Sequence, residues 1–183
     1  MSSDSLYRVM TVCTGNICRS PMAEIVLRHR LAAAGLVDGV LVDSSGISDE
    51  ERGRPVDRRA RAVLLAHGYP AGDEHRARHV RAEDLTARDL VLPMTSVHAR
   101  ALRRLAGPDP VEAARVVMYR RFDPGAPAGD DPRFEHLLDI DDPWYGGPDD
   151  FEACLAQIEA GADGVVEHVR AALEQRRRRE VSR

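Results

Sequence analysis

The 183-residue sequence is short of cysteine and contains no lysine at all. It has three cysteines, and all 26 of its basic residues are arginine. Three cysteines cannot form the disulfide framework of a small secreted domain, which favours a reducing, cytoplasmic setting. The start of the chain also lacks the charged-then-apolar pattern of a signal peptide, so export would need a route without one.

Long apolar runs and an excess of positive charge are absent as well. No stretch approaches the roughly 20 apolar residues of a membrane span, so none is expected. The 26 cations face 30 acids, for a net charge of −4. This balance gives no sign of nucleic-acid binding, which is characteristic of strongly basic domains.

Charge is nevertheless uneven along the chain. Residues 123–152 hold ten acids and one cation, whereas the last fourteen residues hold six arginines and two acids. We interpret the terminal arginines as a solvated helix end, where the helix dipole favours cations, and the alternative is a docking tail for anionic partners. A chain of 183 residues is long enough to form one domain with a single hydrophobic core. We therefore expect a single domain over residues 1–175 and an arginine-rich tail over 176–183.

Apolar runs alternate with helical patterns along most of the chain. The predicted strands are 7–12, 40–44, 89–94 and 115–119, and the predicted helices are 21–35, 57–68, 96–107 and 149–175. Ser20 and Thr95 are predicted helix N-caps, and Gly161 and Gly164 are expected to kink or split the last helix. Repeated strand–helix units indicate a parallel sheet between helices. The predicted fold is therefore α/β: a four-stranded parallel sheet with helices on both faces, in a flavodoxin-like or Rossmann-like three-layer arrangement.

The segment VCTGNICRSPMA joins the first predicted strand to the first helix, where open α/β sheets place their ligands. A zinc site would need about four ligands, and this segment supplies only Cys13 and Cys18. A buried loop with chance cysteines is a second alternative. A phosphate-binding loop explains more residues, because Gly15 and Asn16 can turn backbone N–H groups inward and Arg19 can grip two phosphate oxygens. The same donors favour a thiolate nucleophile at Cys13.

The residues that follow complete a resemblance to a known family. Cys13, Arg19 and Ser20, followed by PMAE, resemble the signature of the low-molecular-weight protein tyrosine phosphatases. The run DPWYG that begins at Asp142 strengthens the resemblance, which extends over about residues 6–173. Further matching segments are Asp43-Ser44-Ser45-Gly46, the run from Gly53 to Ala60, and His75-Arg76-Ala77-Arg78.

The resemblance implies an enzyme that hydrolyses phosphotyrosine and aryl phosphate monoesters through a phosphocysteine, with no metal or organic cofactor. It implies that Cys13 is the nucleophile, that Arg19 stabilises the transition state, and that Asp142 is the general acid and then the base. The acidic residues beside Asp142 in sequence are expected to favour its protonated form. The other implied substrate-binding residues are Thr14, Gly15, Asn16, Ile17, Cys18, Ser20, Trp144 and Tyr145, with Ser44 and His75 as supporting residues. By family precedent Cys18 forms a reversible disulfide with Cys13; the alternative is a plain packing residue.

Two departures from the family pattern stand out. Thr95 replaces the usual aspartate, although both residues cap helices well. Glu50 lies near the position of an aromatic residue that faces the substrate ring. Together with the acids of 123–152, it suggests a preference for phosphotyrosines flanked by arginine or lysine. The alternative is that residues 48–53 face solvent while Trp144 and Tyr145 supply the aromatic contacts.

Three other functions remain as alternatives. An arsenate-reductase-like enzyme needs resolving cysteines, and none occurs between Cys18 and Cys154. Related protein-arginine phosphatases tend to have threonine at the position of Ile17. A non-catalytic phosphate-binding regulator would be expected to lack Cys13 or Asp142. The expected partners are phosphotyrosine proteins, and phosphate, vanadate or other oxyanions in the site of a monomeric enzyme.

Overall fold

A computed structural model describes residues 6–128 and 131–182. Strand β1 is Tyr7–Cys13, β2 is Val40–Gly46 and β3 is Leu90–Pro93. The sheet has the order β2–β1–β3, with all neighbours parallel. Because β1 is central, its last residue, Cys13, lies in the middle of the carboxyl edge of the sheet, paired with Gly46 of β2.

The predicted fourth strand is wrong. Among the described residues, Val116 makes only an isolated parallel bridge to Val91, next to the three strands. The chain then turns into a 3-10 helix, Tyr119–Phe122. The fully buried Tyr119 donates a hydrogen bond of 2.8 Å to the carbonyl of Ile158 in the last helix. This contact draws the chain away from the sheet edge after a single bridge.

Six α-helices surround the sheet within the described ranges. They are α1 (Arg19–Ala33), α2 (Arg58–Ala66), α3 (Ala82–Thr86), α4 (Ser96–Ala106), α5 (Pro110–Ala114) and α6 (Pro148–Val181). Further 3-10 helices are Val37–Gly39, Pro132–Leu138 and Pro143–Tyr145. No helix in this part of the chain is both long and apolar enough for a membrane span.

Helices cover both faces of the sheet, as predicted. Side chains alternate between the faces along a strand, so Val9 and Met10 of β1 point in opposite directions. Val9 belongs to a core cluster with Leu27 of α1 and Ile158 of α6. Met10 belongs to a separate cluster with Leu102 of α4. The parallel α/β class is therefore confirmed, with one core on each side of the sheet.

Helix α6 runs through both of its glycines without interruption. A Cβ atom on Gly164 would lie 2.2 Å from the carbonyl oxygen of Phe122, and one on Gly161 would lie 2.9 Å from the ring of Tyr119. The glycines therefore allow the 119–122 turn to contact the helix closely. The prediction that they split the helix in two is wrong.

The same helix continues past residue 175, where the arginine-rich tail was predicted to begin. Arg176 donates to the carbonyl of Leu6 at 3.3 Å and pairs with Asp89 at 2.5 Å. Its guanidinium also lies 4.9 Å from the centre of the Tyr7 ring. The first tail arginine is thus helical and docked against the start of β1.

Candidate active site

Residues 13–19, which we call the Cys13 loop, leave the centre of the sheet and lead directly into α1. Cys13 and Arg19 at its two ends are 3% and 4% exposed. Asn16 has a φ of 59° and is the one non-glycine residue of the described ranges in the left-handed region, which asparagine tolerates better than most. Glycine is required at Gly46 of β2, since a Cβ there would lie 2.4 Å from the carbonyl oxygen of Thr14. The loop is therefore a tight turn pressed against the neighbouring strand.

Buried polar contacts hold the Cys13 loop from behind. The side-chain amide nitrogen of Asn16 donates to the hydroxyls of Ser20 and Ser44, at 2.9 Å each. Its side-chain oxygen accepts from the backbone N–H of Arg78 at 2.9 Å. His75 Nε2 lies 2.7 Å from the Asn16 carbonyl and donates to it, since a carbonyl oxygen only accepts. Burial lowers the pKa of His75 and favours this neutral donor.

The hydroxyl of Ser20 lies beside Cys13 and does not cap helix α1. Its Oγ lies 3.0 Å from Cys13 Sγ and 3.2 Å from the carbonyl oxygen of Ser45. Helix α1 begins with Cys18 as its N-cap residue and has no side-chain cap, so the predicted N-cap role of Ser20 is wrong. The hydroxyl is positioned to donate to a Cys13 thiolate.

Arg19 connects the Cys13 loop with residues 142–146, which we call the DPWYG segment. Its Nη1 donates to the carbonyl of Ile140 at 3.0 Å, and its Nη2 pairs with Asp142 Oδ2 at 2.5 Å. Its buried Nε has no hydrogen-bond partner among the described residues. Buried donors in proteins are normally paired, so this N–H is available to an oxyanion in the loop.

The surroundings of Asp142 differ from the sequence expectation. Asp139 was expected to contribute to an acidic neighbourhood, but it accepts from the backbone N–H of Ser96 at the start of α4, at 2.6 Å. The charged contact that the structure shows at Asp142 is the guanidinium of Arg19. Asp142 also accepts from the N–H of Trp144 at 3.2 Å and so caps the short helix Pro143–Tyr145.

A cleft of about 120 Å³ opens in front of the Cys13 loop. Its lining residues are Cys13, Thr14, Gly15, Ile17, Cys18, Arg19, Glu50, Glu51, Asp142, Trp144 and Tyr145. All of the residues that the sequence placed in catalysis or substrate binding line it except Asn16 and Ser20, which are buried beside it. Glu51 is an addition that the sequence did not suggest.

A larger cavity of about 790 Å³ lies behind the loop. It is lined in part by Glu24, Ser44 and His75, and Ser44 donates to Glu24 there at 2.6 Å. Cys13, Arg19 and Asp142 are not among its lining residues. The nucleophile, guanidinium and carboxylate that the chemistry requires meet only in the smaller cleft, which we take as the candidate active site.

Arg59 holds the DPWYG segment from the side opposite Arg19. Its Nη1 donates to the carbonyls of Trp144 at 3.0 Å and Gly146 at 3.2 Å, and its guanidinium lies 5.2 Å from the centre of the Trp144 ring. Asp57 fixes this arginine through Arg59 Nε at 3.0 Å. The backbone N–H of Asp57 in turn donates to the carbonyl of Ile17 at 2.8 Å. The start of α2 thus joins the two segments that face each other across the cleft.

His98, to which the sequence gave no role, is connected to the Cys13 loop. Thr95 caps α4 as predicted, accepting from the N–H of His98 at 3.3 Å. The ring of His98 is buried, with Nδ1 3.0 Å from Thr95 Oγ1 and Nε2 3.0 Å from Thr14 Oγ1. Burial and the charge of Arg19 lower the pKa of His98 to about 3, so the ring is neutral at physiological pH.

All three cysteines are free and buried. Burial, followed by the negative charge of Asp57, raises the pKa of Cys18 far above its usual range. Burial likewise raises the pKa of Cys154 to about 12. Both thiols are therefore protonated at neutral pH, and a disulfide between Cys13 and Cys18 stays a prediction.

Comparison with known proteins decides the family. The family model of low molecular weight phosphotyrosine protein phosphatase matches residues 8–177. The chain belongs to this family. A low molecular weight protein-tyrosine-phosphatase of Streptomyces coelicolor is 46% identical to this phosphatase over 170 residues, which cover 93% of this chain and 98% of the relative. Low molecular weight protein-tyrosine phosphatase A of Mycobacterium tuberculosis is 47% identical over 163 residues, which cover 89% of this chain and 91% of the relative.

Solved structures agree with the sequence relatives. The crystal structure of YfkJ from Bacillus subtilis matches with a TM-score of 0.80 and 27% identity, covering 93% of this chain and 99% of that one. The predicted family is thus confirmed, and with it the class of enzyme, a cysteine-dependent protein tyrosine phosphatase.

Proposed function

We propose that Cys13, Arg19 and Asp142 carry out phosphotyrosine hydrolysis in this phosphatase. The observation that supports the assignment is their convergence on one small cleft, where a thiol, a guanidinium with an unpaired buried N–H and a partly exposed carboxylate meet. Substrates of the same chemistry are aryl phosphate monoesters.

The first step is attack of the Cys13 thiolate on phosphorus, which forms the S–P bond as the P–O bond to the aryl group breaks. The Ser20 hydroxyl, 3.0 Å from Sγ, stabilises the thiolate before attack and after its release. Arg19 and the N–H groups of the Cys13 loop bind the equatorial oxygens. Most catalysis of phosphoryl transfer comes from this kind of positioning and charge stabilisation.

Asp142 protonates the departing phenolate and later takes a proton from the water that hydrolyses the phosphocysteine. Before substrate binds, Asp142 is paired with Arg19. A phosphoryl dianion competes for the same guanidinium and places negative charge beside the carboxylate. Like charges disfavour ionisation, so substrate binding itself favours the protonated form.

We also propose that Glu50 favours substrates with basic flanking residues, since this exposed carboxylate lies on the cleft next to Glu51. A charge pair at about 4 Å contributes only about 1 kcal/mol in water, so the preference would be about fivefold. The test compares kcat/KM for phosphopeptides with basic, neutral and acidic flanks in wild type and Glu50→Gln. Glu74→Gln, which removes a carboxylate outside the cleft, is the matched control. An unchanged ranking in Glu50→Gln would contradict the proposal.

The compartment and the oligomeric state are inferred as well. We infer a cytoplasmic, monomeric enzyme of one domain that acts on phosphotyrosine proteins. Three reduced cysteines suit a reducing compartment.

Replacement of the nucleophile tests the assignment directly. Cys13→Ser should abolish turnover of para-nitrophenyl phosphate while vanadate and inorganic phosphate still bind, because the loop donors remain. Cys154→Ala, which removes a buried thiol outside the cleft, is the control and should retain activity. Chelators should leave wild type unaffected. Turnover by Cys13→Ser would overturn the covalent mechanism, and inhibition by a chelator would point to a metal.

A further inference from the structure

A chain of hydrogen bonds runs from the start of α4 into the cleft through groups that the mechanism above does not use. Thr95 Oγ1 lies 3.0 Å from His98 Nδ1, and His98 Nε2 lies 3.0 Å from Thr14 Oγ1. Arg19 Nη2 donates to the same Thr14 oxygen at 3.4 Å. Thr14 itself is exposed and lines the cleft. The ring of His98 thus links a helix cap to a hydroxyl at the site of phosphoryl binding.

The protons available to these hydrogen bonds favour one tautomer of the His98 ring. If Nδ1 carries the proton, Thr95 Oγ1 accepts both from that N–H and from the backbone N–H of His98. The Thr95 proton then has no acceptor among the described residues, although Thr95 is half-buried. If Nε2 carries the proton, the Thr95 hydroxyl donates to Nδ1, and the hydroxyl proton left over is that of Thr14, which is exposed in the cleft. A donor without a protein partner costs less where it is exposed than where it is half-buried, so the Nε2–H tautomer is favoured.

This tautomer determines where the Thr14 proton points. With Nε2–H, the Thr14 oxygen accepts two hydrogen bonds, one from His98 and one from Arg19. Both of its lone pairs are then in use, and its own proton must be directed elsewhere. Since Thr14 faces the cleft, that proton is available to an oxyanion held by the Cys13 loop.

We propose that His98 is a positioning residue that turns the Thr14 hydroxyl into a hydrogen-bond donor to the bound phosphoryl group. The inference rests on the proposed function, because the phosphoryl group is the one placed at Cys13. Thr14 makes the contact, and His98 and Thr95 set its direction. The low pKa of His98 keeps the ring neutral, so that the choice between its two tautomers decides the outcome.

Thr95 is the residue on which the favoured tautomer depends, because its hydroxyl can donate to Nδ1. A carboxylate at this position could only accept hydrogen bonds. It would hold the proton on Nδ1 and leave Nε2 as an acceptor. The Thr14 hydroxyl would then donate to His98 instead of to the phosphoryl group. Thr95→Asp is therefore predicted to reverse the direction of both hydrogen bonds of the His98 ring, the one to residue 95 and the one to Thr14.

Two measurements test the proposal. The first is the ¹⁵N spectrum of the His98 ring, which distinguishes a protonated from an unprotonated ring nitrogen; His98→Asn assigns the signals. We expect Nε2–H in wild type and Nδ1–H in Thr95→Asp. The second is steady-state kinetics with para-nitrophenyl phosphate, together with inhibition by inorganic phosphate.

The kinetic comparison uses variants that keep or remove the Thr14 hydroxyl. Thr14→Val should lower kcat/KM about tenfold to a hundredfold, the effect of one hydrogen bond to a charged group, and should weaken inhibition by phosphate. Thr14→Ser should restore most of the activity. Thr86→Val, at an exposed threonine of α3, is the control for loss of a hydroxyl outside the site.

A double mutant separates the orientation of the hydroxyl from the added charge of aspartate. Thr95→Asp should reduce activity in the wild-type background but have little further effect when Thr14 is valine, since no hydroxyl is left to redirect. An Nδ1–H tautomer in wild type, equal activities of Thr14→Val and Thr14→Ser, or fully additive effects would each overturn the proposal. Failure of the proposed function is distinguishable, because wild type would then show no Cys13-dependent turnover.

Discussion

The two segments that face each other across the cleft are held in contrasting ways. The Cys13 loop is fixed by buried groups of the sheet and its helices, above all through the three side-chain hydrogen bonds of Asn16. The DPWYG segment is held by the side chains of Arg19 and Arg59, while Trp144 and Tyr145 are 37% and 92% exposed. One segment is part of the core, and the other is attached to it by arginines.

This difference matches the two chemical tasks. Stabilising charge on a phosphoryl group requires donors that are in place before the reaction, so that no reorganisation is needed. Protonating the leaving group requires a carboxyl group that can follow substrates of different shape. We therefore expect changes in the Cys13 loop to affect all substrates and changes in the DPWYG segment to affect them selectively.

The largest selective effect is expected for Asp142→Asn. Without a proton donor, kcat/KM for aryl phosphates with poor leaving groups should fall about 10²–10⁴-fold, with a much smaller loss for activated esters. The measurement is the dependence of kcat/KM on leaving-group pKa. Asp141→Asn is the control. Equal losses across the series would show that another carboxylate is the acid.

Loss of the Asn16 side chain should weaken the Cys13 loop without such selectivity. Asn16→Gly keeps the left-handed backbone but removes the hydrogen bonds of the Asn16 side chain to Ser20, to Ser44 and to the backbone N–H of Arg78. We expect a loss of about 2–3 kcal/mol in the free energy of unfolding, measured in urea, and weaker inhibition by phosphate. The loss in kcat/KM should be equal for good and poor leaving groups, and a selective loss would contradict the contrast between the two segments.

The buried ring of His98 should give the Cys13 side of the cleft a pH dependence of stability. Its pKa is about 3 in the folded state and about 6.5 when unfolded, so the unfolded chain binds the extra proton between these values. Stability is therefore lost as the pH falls below about 6.5, by about 2 kcal/mol at pH 5. His98→Asn should remove this part of the difference between pH 7 and pH 5, measured by urea unfolding.

The exposed His136 offers the control for that experiment. His136→Asn removes an imidazole outside the cleft by the same substitution. Burial also lowers the pKa of His75, which contributes with the same sign in every variant. If the free energy of unfolding of His98→Asn depends on pH as that of wild type does, the ring of His98 accepts a proton in the folded state.

The smallest effect is expected for Arg59, which positions the DPWYG segment without touching the phosphoryl group. Arg59→Met should lower kcat/KM for poor leaving groups about tenfold, the loss of hydrogen bonds to the Trp144 and Gly146 carbonyls. Inhibition by phosphate should change little. Arg58→Met, at the exposed neighbouring position, is the control. A larger effect on phosphate inhibition than on turnover would contradict the separation of the two segments.

Local patterns in the sequence were enough to find the central part of the site. The strand predicted over 7–12 is Tyr7–Cys13, and the helix predicted over 21–35 is Arg19–Ala33. Their junction necessarily brings Cys13 and Arg19 together. Thr95 was correctly predicted as an N-cap because a cap depends only on its own helix.

Contacts between distant residues could not be predicted in the same way. His98 contacts Thr14, which lies 84 positions earlier, and Arg59 contacts Trp144, which lies 85 positions later. The helix pattern predicted a cap at Ser20, and only the resemblance placed this residue in the substrate site, because its bond to Cys13 exists only once the loop is folded. The apolar run around Val116 was taken for a strand, although packing of Tyr119 against α6 limits it to one bridge.

The most direct test of the central claim is to locate the phosphoryl group during turnover. Wild type and Asp142→Asn are quenched in alkali while hydrolysing para-nitrophenyl phosphate, and the peptides are analysed by mass spectrometry. We predict one added phosphoryl group on Cys13, accumulating further in Asp142→Asn because this variant lacks the base for hydrolysis of the intermediate. A phosphoryl group on Cys18, or none on the enzyme during active turnover, would contradict the account.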